Sequence, residues 1–387
     1  MLINPCIISA TPTIIEIKNS MKGYGDLSFE DDFDEQIIYY MEQGHMPSIS
    51  ACIIKNDSVV WSNNYGFYDV KNNKEPTDQT VYMAASISKT VTATAIMQLW
   101  EQGLFDLDED VNNYLPFQLR NPKYPDIPIT FRMLLAHQSS LSDKQIALFI
   151  FFSILNLPKE NFGEYLIPGG NIYNPKNWID APPGEDLCYS SISYEILGYL
   201  IEILSNQSLE QYCQENIFEP LKMMNTSFYP SDYNKDNLAV PYIWILNRYI
   251  PLPHYEDRNY AAGGLRTSVC DLSHYLIAHM NGGLYDGIRI LEDETVELMH
   301  TLQYPENNST YSGYGLGWKI FWNYDYNTSR RVGHTGAMPG SLTYMFYFPY
   351  NNTGVIFFTN QHLIFRFKEL FAWFSILELF SQKAGEY

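Results

Sequence analysis

The residues best suited to chemistry are a serine and a lysine three positions apart. Ser86 and Lys89 lie in the segment MAASISKT, where a helical pattern begins, so both side chains emerge on one face of a helix. A serine hydroxyl is a good nucleophile only when a neighbouring base takes its proton, and a lysine is such a base only while its amine is neutral. Because chance supplies about one S-x-x-K pattern in a chain of this length, the pair alone is weak evidence for nucleophilic catalysis.

A second candidate group is the phenol of Tyr189 in the loop segment PGEDLCYSS, which ends at Ser191 just before a helical pattern. A tyrosine beside a lysine can accept a proton during attack and return it to the leaving group. The segment also has a simpler interpretation, in which Tyr189 is one of 31 tyrosines and Ser191 only caps the helix.

A third candidate segment, VGHTGAMPG, lies between two strand patterns and contains His334, Thr335 and Gly336. The glycine allows a substrate to approach the strand backbone closely, and the histidine offers a hydrogen-bond donor or acceptor near neutral pH. The alternative is a glycine-rich strand connection with a histidine at the surface.

Composition and charge exclude several classes of partner. The chain has 387 residues, with 44 acidic and 24 basic side chains and a net charge of -20. No cluster of Lys and Arg occurs, which excludes a nucleic-acid partner and weakens attachment to anionic lipid. A neutral or cationic small molecule or short peptide is the expected substrate. The five cysteines are scattered, include no C-x-x-C pair, and are interpreted as buried apolar residues rather than metal ligands.

Two segments bear on contact with a membrane and on export. The apolar run from Gln145 to Leu157 is shorter than the roughly 18 residues of a membrane span. It favours a buried helix over contact with a membrane surface. The N-terminal segment has no basic residue before Lys18 and so lacks the charged region of a signal peptide.

The order of the predicted elements is strands, many helices, strands and a final helix. A helix over about 29–43 precedes a hairpin whose turn is at Asn56 and Asp57, and helical patterns dominate from about 86 to 225. Strand patterns return in GYGLGWKIFW, SLTYMFYFPY and TGVIFFTN, and an amphipathic helix is predicted over 363–380. This order predicts an α/β (α+β) fold, with an antiparallel sheet flanked by N- and C-terminal helices plus an all-helical region.

Together, the three candidate segments resemble the motifs of the serine β-lactamase and penicillin-binding-protein superfamily. The second motif is Tyr-Ser-Ser and the third is His-Thr-Gly, which is similar to the branch of class C β-lactamases, D-aminopeptidases and related esterases (peptidase S12-like). The segments MLLAHQSSL (133–141) and AGGLRTS (262–268) also resemble that family, and the likeness covers roughly residues 33–360.

The resemblance implies a β-lactamase/transpeptidase-like fold with the active site at the interface of two regions. One region is 1–80 with 260–387, which contains the sheet, and the other is the helical region 81–259, with an insertion at about 143–180. It also implies that Ser86 is acylated and that Lys89 and Tyr189 exchange its proton. The oxyanion would be held by the backbone N–H groups of Ser86 and Ala337, with no cofactor or metal.

Two departures from the family pattern bear on the substrate. Ser191 stands where an asparagine commonly contacts the acyl side chain, and His334 stands where β-lactamases usually carry a lysine that meets a carboxylate. Thr335 and Gly336 complete the expected substrate-binding strand. The expected function is a serine hydrolase acting on a β-lactam, a D-amino-acid peptide or a small ester, with ester or peptide favoured by the first departure.

The alternative hypothesis is a non-catalytic binding or scaffold protein that retains the penicillin-binding fold. The resemblance also favours an extracytoplasmic or cell-surface location. The natural substrate and the oligomeric state stay open at this level.

Overall fold

The central element is an antiparallel sheet of eight strands. The computed structural model describes residues 32–144, 162–256, 260–305, 312–322, 330–362 and 367–387. The strands of the described residues are β1 Ser48–Lys55, β2 Ser58–Gly66, β3 Tyr82–Met83, β4 Tyr242–Ile245, β5 Arg248–Pro251, β6 Arg266–Thr267, β7 Leu284–Tyr285, β8 Ile288–Arg289, β9 Tyr304–Pro305, β10 Ser312–Tyr314, β11 Lys319–Phe321, β12 Arg331–Met338, β13 Ser341–Phe348, β14 Thr353–Thr359 and β15 Gln361–His362. The order of strands in the eight-stranded sheet is β2-β1-β14-β13-β12-β11-β10-β9.

The α-helices lie on both faces of this sheet and in the stretch predicted as the helical region, 81–259. Those in the described residues are α1 Phe33–Gln43, α2 Ser88–Glu101, α3 Phe131–Leu135, α4 Phe162–Leu166, α5 Ser191–Ser205, α6 Leu209–Cys213, α7 Val269–Met280, α8 Asp293–His300 and α9 Phe367–Ala384. None of these helices is long and apolar enough to cross a bilayer.

Two hairpins of the sheet turn at asparagine residues with positive φ. Asn56 joins β1 to β2 with a φ of 56°, and Asn352 joins β13 to β14 with a φ of 50°. Asparagine tolerates this left-handed conformation better than most residues, so the chain can reverse there without glycine. The first of these turns is where the sequence analysis places it.

The sheet separates two apolar cores. On one face α1 and α9 pack on β1 and β14, with Ile37, Phe357 and Ile376 fully buried between them. On the other face α7 packs on the same strands, and the core continues into the helical region. The prediction of an antiparallel sheet flanked by N- and C-terminal helices is therefore confirmed.

The helical region also contains a hairpin that the sequence analysis did not assign. Strands β4 and β5 pair antiparallel around Leu246 and Asn247, which both have positive φ, and β4 pairs in parallel with β15. The pattern of β-branched and aromatic residues in YIWILNRYI is typical of a strand pair and could have revealed it. The apolar run 145–157 lies outside the described residues, and the division into two regions stays a prediction.

A buried histidine makes the stability of this core depend on pH. His279 on α7 contacts Thr94 Oγ1 through Nε2 at 3.0 Å, and its ring centroid lies 4.5 Å from that of Trp318. Burial lowers the pKa of His279 to about 3. Between that value and its ordinary pKa near 6.5, the unfolded chain binds a proton that the folded chain does not. Stability is therefore fully present above about pH 6.5 and falls as the pH is lowered.

We expect wild type to lose more stability between pH 6 and pH 5 than a His279→Gln variant, by up to about 1.4 kcal/mol. Urea unfolding at pH 7, 6 and 5 measures the slope for each protein. Comparing slopes removes the constant cost of the substitution itself. Equal slopes in the two proteins would show that His279 does not titrate on unfolding.

Candidate active site

Ser86 lies on a tight turn between strand β3 and helix α2. Ala85, directly before it, has a φ of 50°, a left-handed conformation that a residue with a Cβ rarely adopts. Three hydroxyl groups hold this turn through consecutive carbonyls. They are Ser341 Oγ to Met83 O at 2.6 Å, Thr343 Oγ1 to Ala84 O at 2.9 Å and Ser88 Oγ to Ala85 O at 2.6 Å. The backbone that presents Ser86 is thus bonded to β13 and to the first turn of α2.

The amine of Lys89 lies directly beside the Ser86 hydroxyl. Lys89 is only 1% exposed, and its Nζ is 3.1 Å from Ser86 Oγ and 2.9 Å from the carbonyl oxygen of Ala262. Ala262 is itself held in place because its N–H donates to Glu195 Oε1 at 2.8 Å. A neutral amine can keep donating to the Ala262 carbonyl while its lone pair accepts the hydroxyl proton of Ser86.

Tyr189 is brought to the same place from a distant loop. Lys89 Nζ lies 5.0 Å from the centroid of its ring and 5.8 Å from that of Tyr194. Tyr189 is half-buried, whereas Tyr194 is fully buried and donates its hydroxyl to Leu135 O at 2.7 Å. The serine, lysine and tyrosine selected from the sequence therefore meet, although 103 positions separate Ser86 from Tyr189.

His334 on β12 is a neutral residue in this site. It is 4% exposed, and its Nδ1 lies 2.5 Å from Thr335 O, so Nδ1 carries the proton and Nε2 is left as an acceptor. Burial first, and then the nearby Lys89, lower the pKa of His334 to about 3. His334 is therefore uncharged at neutral pH, unlike the lysine that the family pattern usually has at this position.

Strand β12 packs directly against the turn that carries Ser86. A Cβ added at Gly336 would lie 2.3 Å from Thr343 Oγ1, 2.4 Å from Ala84 O and 2.9 Å from Ala85 Cβ, so only glycine fits. The neighbours of Gly336 in the strand, Thr335 and Ala337, are exposed on its other side. The three residues thus lie on the strand that borders the nucleophile, while their roles toward a substrate stay predictions.

Ser191 begins helix α5, but the residue that caps the helix is Ser190, whose Oγ accepts the N–H of Ser193. The N–H of Ser191 donates to both carboxylate oxygens of Asp143, at 2.8 and 2.7 Å, and its hydroxyl bonds to the same carboxylate. Its side chain is therefore engaged with the protein, and its role in substrate binding stays a prediction.

Sequence reasoning missed further residues around the site. His137 lies in a segment noted only for its family likeness, and its ring centroid is 4.4 Å from that of Tyr189 and 4.6 Å from that of Tyr314. Lys319, on β11, lies with Nζ 4.4 Å from the Tyr314 ring centroid and contributes to lowering the pKa of both His137 and His334. The strand pattern GYGLGWKIFW predicted only β structure for Tyr314 and Lys319. Within the described residues no group of His, Cys, Asp and Glu is arranged to hold a metal ion.

Comparisons with known proteins agree with this architecture. A family model described as Beta-lactamase matches residues 33–369. Protein flp of Staphylococcus aureus is 26% identical over 333 residues, which cover 86% of this chain and 63% of that protein. The chain thus spans less than two thirds of the length of this curated relative.

Solved structures show the same likeness. The octameric penicillin-binding protein homologue from Pyrococcus abyssi superposes with a TM-score of 0.73 at 30% identity, covering 85% of this chain and 72% of that one. The D-amino acid amidase from Ochrobactrum anthropi SV3 gives a TM-score of 0.69 at 19% identity, covering 91% of this chain and 99% of that one. At the latter identity the likeness concerns the fold alone.

The close approach of β12 to Ala84 and Ala85 at Gly336 predicts that a larger residue at this position destabilises the fold. We expect Gly336→Ala to lower the free energy of unfolding by about 1–3 kcal/mol, because the added methyl group must push β12 away from Ala84 and Ala85. Gly385→Ala, at the exposed C-terminal end, is the matched control and should change little. Urea unfolding measures both variants, and a Gly336→Ala protein as stable as the control contradicts the described packing.

Proposed function

The chain belongs to the beta-lactamase family, and from that premise we propose that it is a serine hydrolase that forms a covalent acyl-enzyme at Ser86. The observation that carries the proposal is the 3.1 Å contact between Lys89 Nζ and Ser86 Oγ, inside a buried cluster that also contains Tyr189. A base within hydrogen-bond distance of a partly exposed serine is the arrangement that nucleophilic catalysis requires.

Each proton has a donor and an acceptor in the proposed acylation. The Ser86 oxygen attacks the acyl carbon while its proton passes to the neutral amine of Lys89. The backbone N–H groups of Ser86 and Ala337 are the proposed donors to the oxyanion, a type of contact that contributes on the order of 10² to 10³ in rate per donor. As the bond to the leaving group breaks, that group takes the phenol proton of Tyr189, and Lys89 returns a proton to Tyr189.

Deacylation reverses the roles with water as the nucleophile. Water attacks the acyl carbon of the Ser86 ester, and its proton passes through Tyr189 to Lys89. The proton then returns to the Ser86 oxygen as the ester bond breaks, which releases a carboxylic acid and restores the starting enzyme. All of these groups belong to the chain itself.

The charge of the site favours an acyl substrate that does not need a carboxylate contact at position 334. Because His334 is buried and its pKa is lowered to about 3, it supplies no positive charge at neutral pH. Its Nε2 is buried without a hydrogen-bond partner among the described residues and carries no proton, so it offers no donor to a substrate carboxylate. We therefore propose a neutral ester or a peptide as the preferred substrate, with β-lactams able to acylate Ser86 but turned over less efficiently.

We expect the wild-type chain to hydrolyse a p-nitrophenyl ester and to gain the mass of one fluorophosphonate adduct on Ser86. Ser86→Ala should abolish both, and Lys89→Met should abolish both because no base then lies beside the hydroxyl. Ser231→Ala and Lys71→Met, at exposed positions, are matched controls that should behave as wild type. Equal rates in wild type and Ser86→Ala would dismiss the mechanism, and no adduct in wild type would favour a binding or scaffold protein.

The charge argument is tested by restoring a cation on β12. We expect His334→Lys to raise kcat/KM for a carboxylated cephalosporin relative to that for a neutral ester by about 10-fold, since a charge-assisted hydrogen bond contributes about 1.5–3 kcal/mol. His334→Gln keeps the position neutral and should leave the ratio near that of wild type. Stopped assays of both substrates with each protein give the ratio. A folded, ester-active His334→Lys protein with an unchanged ratio would refute this account of specificity.

A further inference from the structure

We infer that His137 is a positioning residue that holds Tyr189 in place for proton exchange with Lys89. The inference rests on the proposed function, because it assigns a purpose to the placement of Tyr189. The evidence is a set of hydrogen bonds to the two chain neighbours of Tyr189 and ring contacts with Tyr189 itself. All of them come from residues that are distant from Tyr189 in the sequence.

His137 bonds to the backbone on both sides of Tyr189. Its carbonyl oxygen accepts the N–H of Cys188 at 2.8 Å, and its ring Nδ1 accepts the N–H of Ser190 at 3.1 Å. The two anchored residues directly precede and follow Tyr189. One residue therefore fixes the chain at both ends of the tyrosine, which limits both the position and the direction of its side chain.

The ring of His137 also packs against the phenol ring. The two ring centroids are 4.4 Å apart, and Tyr314 packs on the same imidazole at 4.6 Å and lies 6.0 Å from Tyr189. Lys89 Nζ lies 5.0 Å from the centroid of the same phenol ring, so Tyr189 is close to both the base and the imidazole. Rotation of the phenol away from Lys89 would have to displace this packing.

The position of His137 is itself fixed by its own backbone. Its φ of 61° is the left-handed conformation, which ends helix α3 and turns the chain toward the loop at 184–190. The next residue, Gln138, donates its N–H to Met133 O at 2.7 Å and accepts the N–H of Gly184 at 2.8 Å. His137 is 1% exposed, so no solvent competes for its contacts.

The segment 137–143 also forms hydrogen bonds with the first residues of helix α5. Asp143 is buried, and its carboxylate accepts the N–H groups of Ser191 and Ile192, while Ser190 Oγ accepts that of Ser193. Together with His137 Nδ1, these acceptors satisfy four consecutive N–H groups, which include those that a helix start leaves without a helical partner. The loop that carries Tyr189 therefore ends in a helix start bonded to the segment 137–143.

The bond to Ser190 requires a neutral imidazole. Nδ1 accepts, so the ring proton is on Nε2, and a second proton on Nδ1 would break the contact. The groups facing the ring are Tyr189, Tyr194 and Tyr314, with the cation of Lys319 nearby. Burial first, then Lys89, His334 and Lys319, hold the pKa of His137 well below its usual value. The hydrogen bond therefore persists at neutral pH.

The substitutions His137→Asn and His137→Gln separate the effect of the hydrogen bond to Ser190 from the effect of side-chain size. Asparagine tolerates the left-handed backbone and can place Oδ1 where Nδ1 of histidine lies, so it can accept the N–H of Ser190. Glutamine carries the same amide one methylene group further out and cannot. We expect His137→Asn to keep kcat within about 3-fold of wild type, and His137→Gln and His137→Ala to lose on the order of 10² in kcat with little change in KM.

A double-mutant cycle with Tyr189→Phe decides whether the loss acts through Tyr189. Ester hydrolysis is measured for wild type, His137→Gln, Tyr189→Phe and the double variant, each checked by its thermal unfolding midpoint. If His137 acts by holding Tyr189, removing the phenol already removes the benefit, and His137→Gln costs little more in that background. The same loss in both backgrounds, or no difference between His137→Asn and His137→Gln, would overturn the inference.

The outcome for the proposed function is separate. Ser86-dependent hydrolysis and a Ser86 adduct in the wild-type chain test that function without reference to His137. If they fail, the proposed function falls and the inference falls with it. If they succeed while the cycle is additive, only the role of His137 is lost.

Discussion

The site depends on one buried contact, the amine of Lys89 held between the Ser86 hydroxyl and the Ala262 carbonyl. Burying a polar amine costs free energy unless its hydrogen bonds are satisfied, so the fold must bring acceptors to it. One acceptor lies three residues earlier, on the turn before the helix, and the other is 173 residues distant. The N–H of Ala262 donates to the carboxylate of Glu195 on helix α5. The Lys89 amine is therefore positioned by contacts that link three segments distant from one another in the sequence.

Strained backbone occurs where this contact meets the sheet. Ala85 and His137 both adopt left-handed conformations, and each is held by several hydrogen bonds to neighbouring segments. Such conformations cost about 1–3 kcal/mol each and persist only where the surroundings over-determine them. Gly336 removes the side chain that would keep β12 away from the first of these turns. The strained turn at Ala85 and the close packing of β12 against it therefore occur together.

The electrostatics of the site differ from those of the whole chain. The protein carries a net charge of -20, yet the groups around Tyr189 are two lysines and two imidazoles that burial keeps neutral. A positive charge on either imidazole would oppose the positive charge that Lys89 gains when it takes the Ser86 proton. Neutral histidines thus let the cluster tolerate closely spaced amines, and they remove the cation that the family pattern usually places on the strand at 334.

The sequence alone determined what depends on local spacing. A serine and a lysine three positions apart lie close together by helical geometry, and the turns and strands follow from backbone preferences, so the sheet, its flanking helices and the pair Ser86 and Lys89 could be predicted from local patterns. Tyr189 and His334 were candidates mainly because their segments resemble the family motifs. Only the tertiary structure decided the protonation state of His334, the hydrogen bonds of Ser191 to Asp143 and the contacts by which His137 positions Tyr189. These depend on burial and on contacts between residues about 50 to 250 positions apart, and the sequence pattern around any one residue contains neither quantity.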